Sequence, residues 1–150
     1  MTEVLFREAS IEDMPALAKI RGDDWQSEEY WNQRMTDYFN RTHHPQQALD
    51  ERIIYVAVLD NAVVGFIAGH LTNRFGCEGE LQWIDVLPTF RRNGIASQLT
   101  RLLATWFIKN RAYKICVDPG NELAKKFYIN NGVGMLNQHW MFWENIRMIL

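Results

Sequence analysis

The chain has 150 residues, 47% hydrophobic and 23% charged, and its 18 acidic and 16 basic side chains leave a net charge of −2. That balance suits a folded domain rather than a disordered chain, and it offers no electrostatic case for nucleic acid or an anionic membrane. The longest apolar run, residues 62–69, falls well short of the roughly 20 residues a membrane helix needs, and an acidic start makes no secretory signal. Along the chain, residues 4–8 read as a first strand. Ser10-x-x-Asp13 then forms a capping box ahead of a helix with Met14, Leu17 and Ala18 on its apolar face. Ser27, Glu28 and Glu29 open a second helix with Trp31, Met35, Tyr38 and Phe39 on one side. Residues 41–52 are polar and read as loop or a short helical turn.

Two β-rich runs, 53–59 and 63–71, are separated by Asp60-Asn61, a hairpin signal. A turn-rich stretch, 73–79, leads to a strand at 80–86. The pattern then alternates: helix 94–110, strand 113–117, helix 122–131, and aromatic strand material over 135–143. Antiparallel strands followed by a β-α-β-α segment make an α/β (α+β) mixed sheet with helices on both faces. No repeat, linker or low-complexity tract interrupts it, so one domain spanning 1–150 is expected. Cys77 and Cys116 lie far apart in sequence and read as reduced thiols of a cytoplasmic protein. The four histidines, His43, His44, His70 and His139, stand at no zinc-ligand spacing, so no metal is expected.

The most informative stretch runs from Asp85 through a proline-closed turn to Ser97. It ends in a helix whose apolar stripe is Ile95, Leu99, Leu102, Leu103, Trp106 and Phe107. Backbone N–H groups at a helix start lack intrahelical partners, and the helix dipole adds partial positive charge there. Gly94 lets the backbone approach a ligand, and Arg91, Arg92 and Asn93 add side-chain donors suited to phosphate oxygens. Amides of Arg92, Asn93, Gly94, Ile95, Ala96 and Ser97 would therefore cradle a diphosphate. Neither a P-loop nor a dinucleotide fingerprint is present. The pattern Arg91-x-x-Gly94-x-Ala96 resembles the acyl-CoA diphosphate loop of the GNAT N-acetyltransferase superfamily. A second motif, Asn121-x-x-Ala124-x-x-Phe127-Tyr128-x-x-x-Gly132-Val133, resembles the helix that follows the fifth strand in the same superfamily. Met135 departs from the Gly-Phe ending common there, which touches packing more than chemistry.

The resemblance implies a bulge that splays the fourth strand from the fifth, with acetyl-CoA as cosubstrate. The segment Ile84-Asp85-Val86 then lies along the pantetheine arm, held by backbone groups of Ile84 and Val86, and Asn121 and Ala124 flank it from the second motif. Tyr128 takes the place of the acid that protonates the departing thiolate; a core tyrosine with a satisfied hydroxyl is the structural alternative. Glu80, eleven residues before Arg91, matches the catalytic glutamate of the histone-acetylating branch and is the expected base, acting through water. By strand alternation, Glu80 and Asp85 fall on opposite faces. Asp85 lies either in the acceptor cleft or outside it.

The first two helices and the last strands would line the acceptor pocket with Trp25, Tyr30, Trp31, Trp83, Trp140, Trp143, Asp23, Asp24, Glu28 and Glu29. The same residues also serve a core and a helix N-terminus. The expected activity is direct transfer of an acetyl group to a primary amine, of a small molecule or a peptide. An inactive acyl-CoA-binding sensor is the alternative. No nucleic-acid or membrane partner is expected. The apolar ending from Ile146 to Leu150 either pairs with a second copy or covers the core, leaving monomer and homodimer open.

Overall fold

The computed structural model describes residues 3–22 and 26–150. Strand β1 (Leu5–Glu8) leads through a 3-10 turn, Ile11–Asp13, into α1 (Met14–Arg21) and α2 (Glu28–Phe39). The capping box forms: the Ser10 amide donates to Asp13 Oδ2 at 2.8 Å, and Arg7 grips the same carboxylate at 2.7 Å. Ser27 Oγ accepts the Tyr30 amide and starts α2 as its sequence requires. Next come β2 (Ala48–Leu59) and β3 (Ala62–Thr72), joined by Asp60 and Asn61, both at positive φ, a tight hairpin turn.

Strand β4 (Gly79–Val86) is followed by a 3-10 turn, Pro88–Phe90, and by α3 (Ile95–Lys109). The chain closes with β5 (Ile115–Val117), α4 (Glu122–Asn130), β6 (Gly134–Met135) and β7 (Met141–Trp143). All seven strands share one sheet in the order β1-β2-β3-β4-β5-β7-β6. Among the described residues only β4 with β5 is parallel; the other pairings are antiparallel. The mixed, mostly antiparallel sheet expected from the sequence is therefore the observed fold.

Each face of the sheet has its own core. The stripe of α3, with Ile95, Leu99, Leu103 and Phe107, packs on Ile67, Leu81, Ile115 and Trp143. On the other face, Met14 and Leu17 of α1 and Trp31, Met35 and Tyr38 of α2 cover Phe66, Ala68 and Trp83. Gly79 leaves the room that the Phe107 ring fills, since a Cβ there would overlap it.

Three sequence expectations change. Residues 48–51, read as loop, extend β2: they are polar and mostly exposed, so hydrophobic alternation is silent, yet Ala48 pairs with Thr72. Buried Arg52 anchors this region by donating to the carbonyls of His43, Leu49 and Asp50. The aromatic stretch 135–143 is not one strand but a small hairpin, because Asn137 Oδ1 accepts the amides of His139 and Trp140 and turns the chain. Cys77 and Cys116, read only as distant in sequence, are brought together: both are buried, and each thiol influences the other. At the C-terminus, Ile146 is buried and Ile149 half-buried against the α3 core, so the ending covers the core, while Met148 and Leu150 remain exposed.

The fourth change matters most for function. In the β3–β4 ladder, Ala68 faces Trp83 but the next residue, Gly69, faces Leu81, leaving Gln82 as an extra residue on β4. A bulge of this kind bends a strand and resets its alternation. Pairing between β4 and β5 ends where the bulge begins, with Gly79, Glu80 and Leu81 opposite Ile115, Cys116 and Val117. Beyond it the two strands part. The parity shift also corrects the strand-face count: Glu80, Trp83 and Asp85 pair with His70, Ala68 and Phe66, alternate residues of β3, and so all three share the α1–α2 face.

Candidate active site

The gap between the splayed strands is a cleft of about 420 Å³. One wall is the end of β4 and the loop entering α3, with Ile84, Asp85, Val86, Arg91, Arg92, Gly94, Ile95, Ala96 and Ser97. The other is the start of α4 and the loop before it, with Asn121, Ala124, Phe127 and Tyr128 among the residues named from the sequence. Two motifs far apart in the chain thus face each other because α3 and β5 carry the chain across one face of the sheet and back.

Arg92 and Gly94 both adopt positive φ, 66° and 77°. Left-handed residues of this kind curl a backbone into an anion-binding nest, and both residues line the cleft. Gln98 is the first amide of α3 to find a carbonyl, that of Gly94 at 3.0 Å. Among the described residues, the amides of residues 92–97 have no acceptor. A Cβ built on Gly94 would meet no protein atom within 4 Å, so the space beside it is open. Arg91 lies on the rim, but its Nε donates to the Val86 carbonyl at 3.0 Å and fixes the loop to the end of β4. That carbonyl is therefore already engaged. The Asn93 side chain turns back to the Phe90 carbonyl at 3.2 Å and is absent from the cleft wall.

On the opposite wall, Asn121 Oδ1 accepts the Ala124 amide at 2.8 Å and caps α4. Tyr128 is 3% exposed, with its ring edge-on to Trp143 at 5.8 Å. Its hydroxyl has no hydrogen-bond partner among the described residues, unlike the satisfied phenol of a core tyrosine, and its side chain borders the cleft. Burial pushes its pKa up, the Asp85 carboxylate pushes it further, and the Arg21 guanidinium opposes them. The phenol therefore carries its proton throughout the physiological range.

Glu80 does not line the cleft. It is 4% exposed, with Oε1 3.3 Å from Arg74 Nε and 3.5 Å from His70 Nε2. His70 Nδ1 meets the Tyr38 hydroxyl at 2.9 Å, and Arg74 stacks over Trp140 at 4.6 Å. Glu80 thus belongs to a buried polar cluster under α2. Asp85, four positions along β4 once the bulge is discounted, does reach the cleft, and Asp118, in the loop before α4, lines it too. Of the aromatic residues expected at the acceptor pocket, Trp31, Trp83 and Trp143 are core residues, and Glu28 and Glu29 sit at the N-terminus of α2. Asp23, Asp24 and Trp25 lie outside the described residues.

Arg21 and Gln82 also line the cleft, with no signal in the sequence. Arg21 ends α1 and enters the cleft wall, where its Nη1 donates to Asp85 Oδ2 at 2.7 Å across 64 residues of sequence. Its guanidinium stacks over the Trp31 indole at 5.1 Å. A contact of that separation leaves no local pattern. Gln82 was legible only as part of a strand, since nothing in its neighbours marks a bulge.

Among the described residues, no helix is long and apolar enough to cross a membrane. The fold is shared with solved acetyltransferases. One is the PaiA N-acetyltransferase of Thermoplasma acidophilum in complex with coenzyme A, with a TM-score of 0.73 at 18% identity over 95% of this chain and 99% of that one. Another is an aminoglycoside N-acetyltransferase in complex with CoA, with a TM-score of 0.73 at 19% identity over 92% of each chain. A third, a GNAT-family acetyltransferase from Staphylococcus aureus, has a TM-score of 0.74 at 13% identity over 96% of this chain and 99% of that one. No curated protein sequence matches the chain. A sequence model of the acetyltransferase (GNAT) family matches residues 14–133, which include both motifs and the whole cleft wall, and the chain belongs to that family.

Proposed function

We propose that this protein transfers the acetyl group of acetyl-CoA directly to a primary amine within a ternary complex. The observation that carries the reading is the pairing of two walls: unpartnered amides at residues 92–97 on one, and a protonated, unpartnered Tyr128 hydroxyl on the other. The amides hold the diphosphate, and the edge of β4 that has no neighbouring strand, at the Ile84 backbone and the Val86 amide, guides the pantetheine arm towards Tyr128. The amine nitrogen attacks the thioester carbonyl carbon, its N–H proton passes to water, the carbon–sulfur bond breaks, and the departing thiolate takes the Tyr128 proton, which solvent later restores. Asp85 receives the incoming ammonium and orients the water that removes its proton. Glu80, paired with Arg74 and His70, supports the sheet beneath the acceptor side rather than touching the reacting atoms. Two unlinked thiols suit a cytoplasmic location.

A panel of primary amines, incubated with acetyl-CoA and followed by free-thiol detection and mass spectrometry, tests this reading. One thiol released per amide formed is expected. Coenzyme A binding with no thiol release for any amine would overturn it and leave an acyl-CoA sensor.

A further inference from the structure

Resting on the acetyl-transfer reading, we propose that Arg21 selects the acceptor, and that the acceptor is a zwitterion: a small molecule carrying a carboxylate beside the amine that is acetylated. The cleft has cationic groups at two places with different surroundings. Arg91 and Arg92 belong to the loop before α3, next to the free amides. Arg21 comes from α1, on the other face of the sheet, and acts electrostatically on the Tyr128 phenol together with Asp85. Paired with Asp85, it borders the same cleft as Tyr128, on a different element from the amides of residues 92–97.

The guanidinium is built as a fixed receptor. Asp85 holds it through Nη1 at 2.7 Å, and the Trp31 ring beneath it at 5.1 Å sets its plane. A guanidinium has five N–H donors in a rigid fork. Among the described residues Arg21 spends only the Nη1 bond, and its side chain keeps 29% of its surface exposed. The remaining donors suit a carboxylate, which binds such a fork through two parallel hydrogen bonds. Its neighbour supplies the opposite sign: Asp85 lies beside Arg21 and lines the same cleft. An amino acid presents the mirror image of this pair, with ammonium towards Asp85 and carboxylate towards Arg21. A polycation without an acidic group would gain only half of that match and place positive charge against Arg21.

The decisive experiment compares kcat/KM for matched acceptors that differ only in the acidic group, amino acids against their carboxamides, in the native enzyme and in Arg21→Gln and Arg21→Lys. The native enzyme is expected to favour the carboxylate member at least tenfold. Arg21→Gln should abolish that preference while the Kd for acetyl-CoA stays within about twofold, and Arg21→Lys should keep part of it. Equal turnover of both members by the native enzyme overturns the inference while leaving acetyl transfer intact. An equal loss for both members in Arg21→Gln, with the preference retained, also overturns it. Transfer to neither member nor to any other amine overturns acetyl transfer itself, and this inference with it.

Discussion

Replacing Tyr128 by Phe separates chemistry from packing. The ring stays, so its edge-to-face contacts with Trp143 at 5.8 Å and Phe127 at 5.7 Å survive. The lost hydroxyl has no protein partner among the described residues, so no buried donor or acceptor is orphaned and stability should change by less than about 1 kcal/mol. Truncation to Ala would instead empty a buried aromatic site at a cost of about 3–5 kcal/mol. If the hydroxyl protonates the thiolate, the Phe variant should lose roughly ten- to a thousandfold in kcat, or about 1.4–4 kcal/mol of transition-state stabilisation. Steady-state thiol release gives kcat, calorimetry gives the acetyl-CoA affinity, and a thermal melt gives stability. An unchanged kcat with unchanged affinity would refute the acid role, and an unfolded Phe variant would refute the packing account.

Gly94→Ala places a side chain at φ 77°, a strain of about 1–2 kcal/mol, yet its Cβ meets no protein atom. Its melting temperature should drop by only a few degrees while coenzyme A affinity, measured by calorimetry, falls at least tenfold; intact affinity would argue against the cradle. Asp85→Asn should lower kcat/KM at least tenfold in thiol-release assays without loss of the fold. Glu80→Gln, by leaving Arg74 and His70 poorly paired, should cost on the order of 3 kcal/mol in denaturant melts yet retain most of kcat/KM; the opposite pattern would return the base to Glu80. Hydrogen bonding to Arg7 holds the Asp13 carboxyl below its ordinary range near 3.9. A depressed carboxylate stabilises the fold above its unfolded pKa and loses that contribution as pH falls through the folded value. The melting-temperature gap between native protein and Asp13→Asn should therefore stay constant above about pH 5 and close below about pH 4, whereas a gap that widens in acid would contradict the pairing.

Local rules carried the sequence reading far. The Asp60-Asn61 turn, the Ser27 and Asn121 caps, the α3 stripe and the left-handed Gly94 each depend on a few neighbouring residues, and each stands where its own chemistry requires. Features made by distant parts of the chain were not legible. The Gln82 bulge arises from how β4 registers on β3, and it alone moves Asp85 onto the same face as Glu80. The Arg21–Asp85 pair joins a helix end to a strand, with no pattern in either segment to announce it. Residues 48–51 are held by backbone pairing and by Arg52 rather than by burial, so hydrophobic alternation had nothing to detect. Candidate site residues named by motif matching therefore divide by range: those within one motif mostly meet at the cleft, and Glu80, named by counting along a strand, does not.

A crystal structure of the complex with acetyl-CoA puts the central claim to its most direct test. The account places diphosphate oxygens within hydrogen-bonding distance, about 2.7–3.2 Å, of the amides of residues 92–97, and the thioester sulfur beside the Tyr128 hydroxyl. A diphosphate bound elsewhere, with those amides facing only solvent, would contradict it.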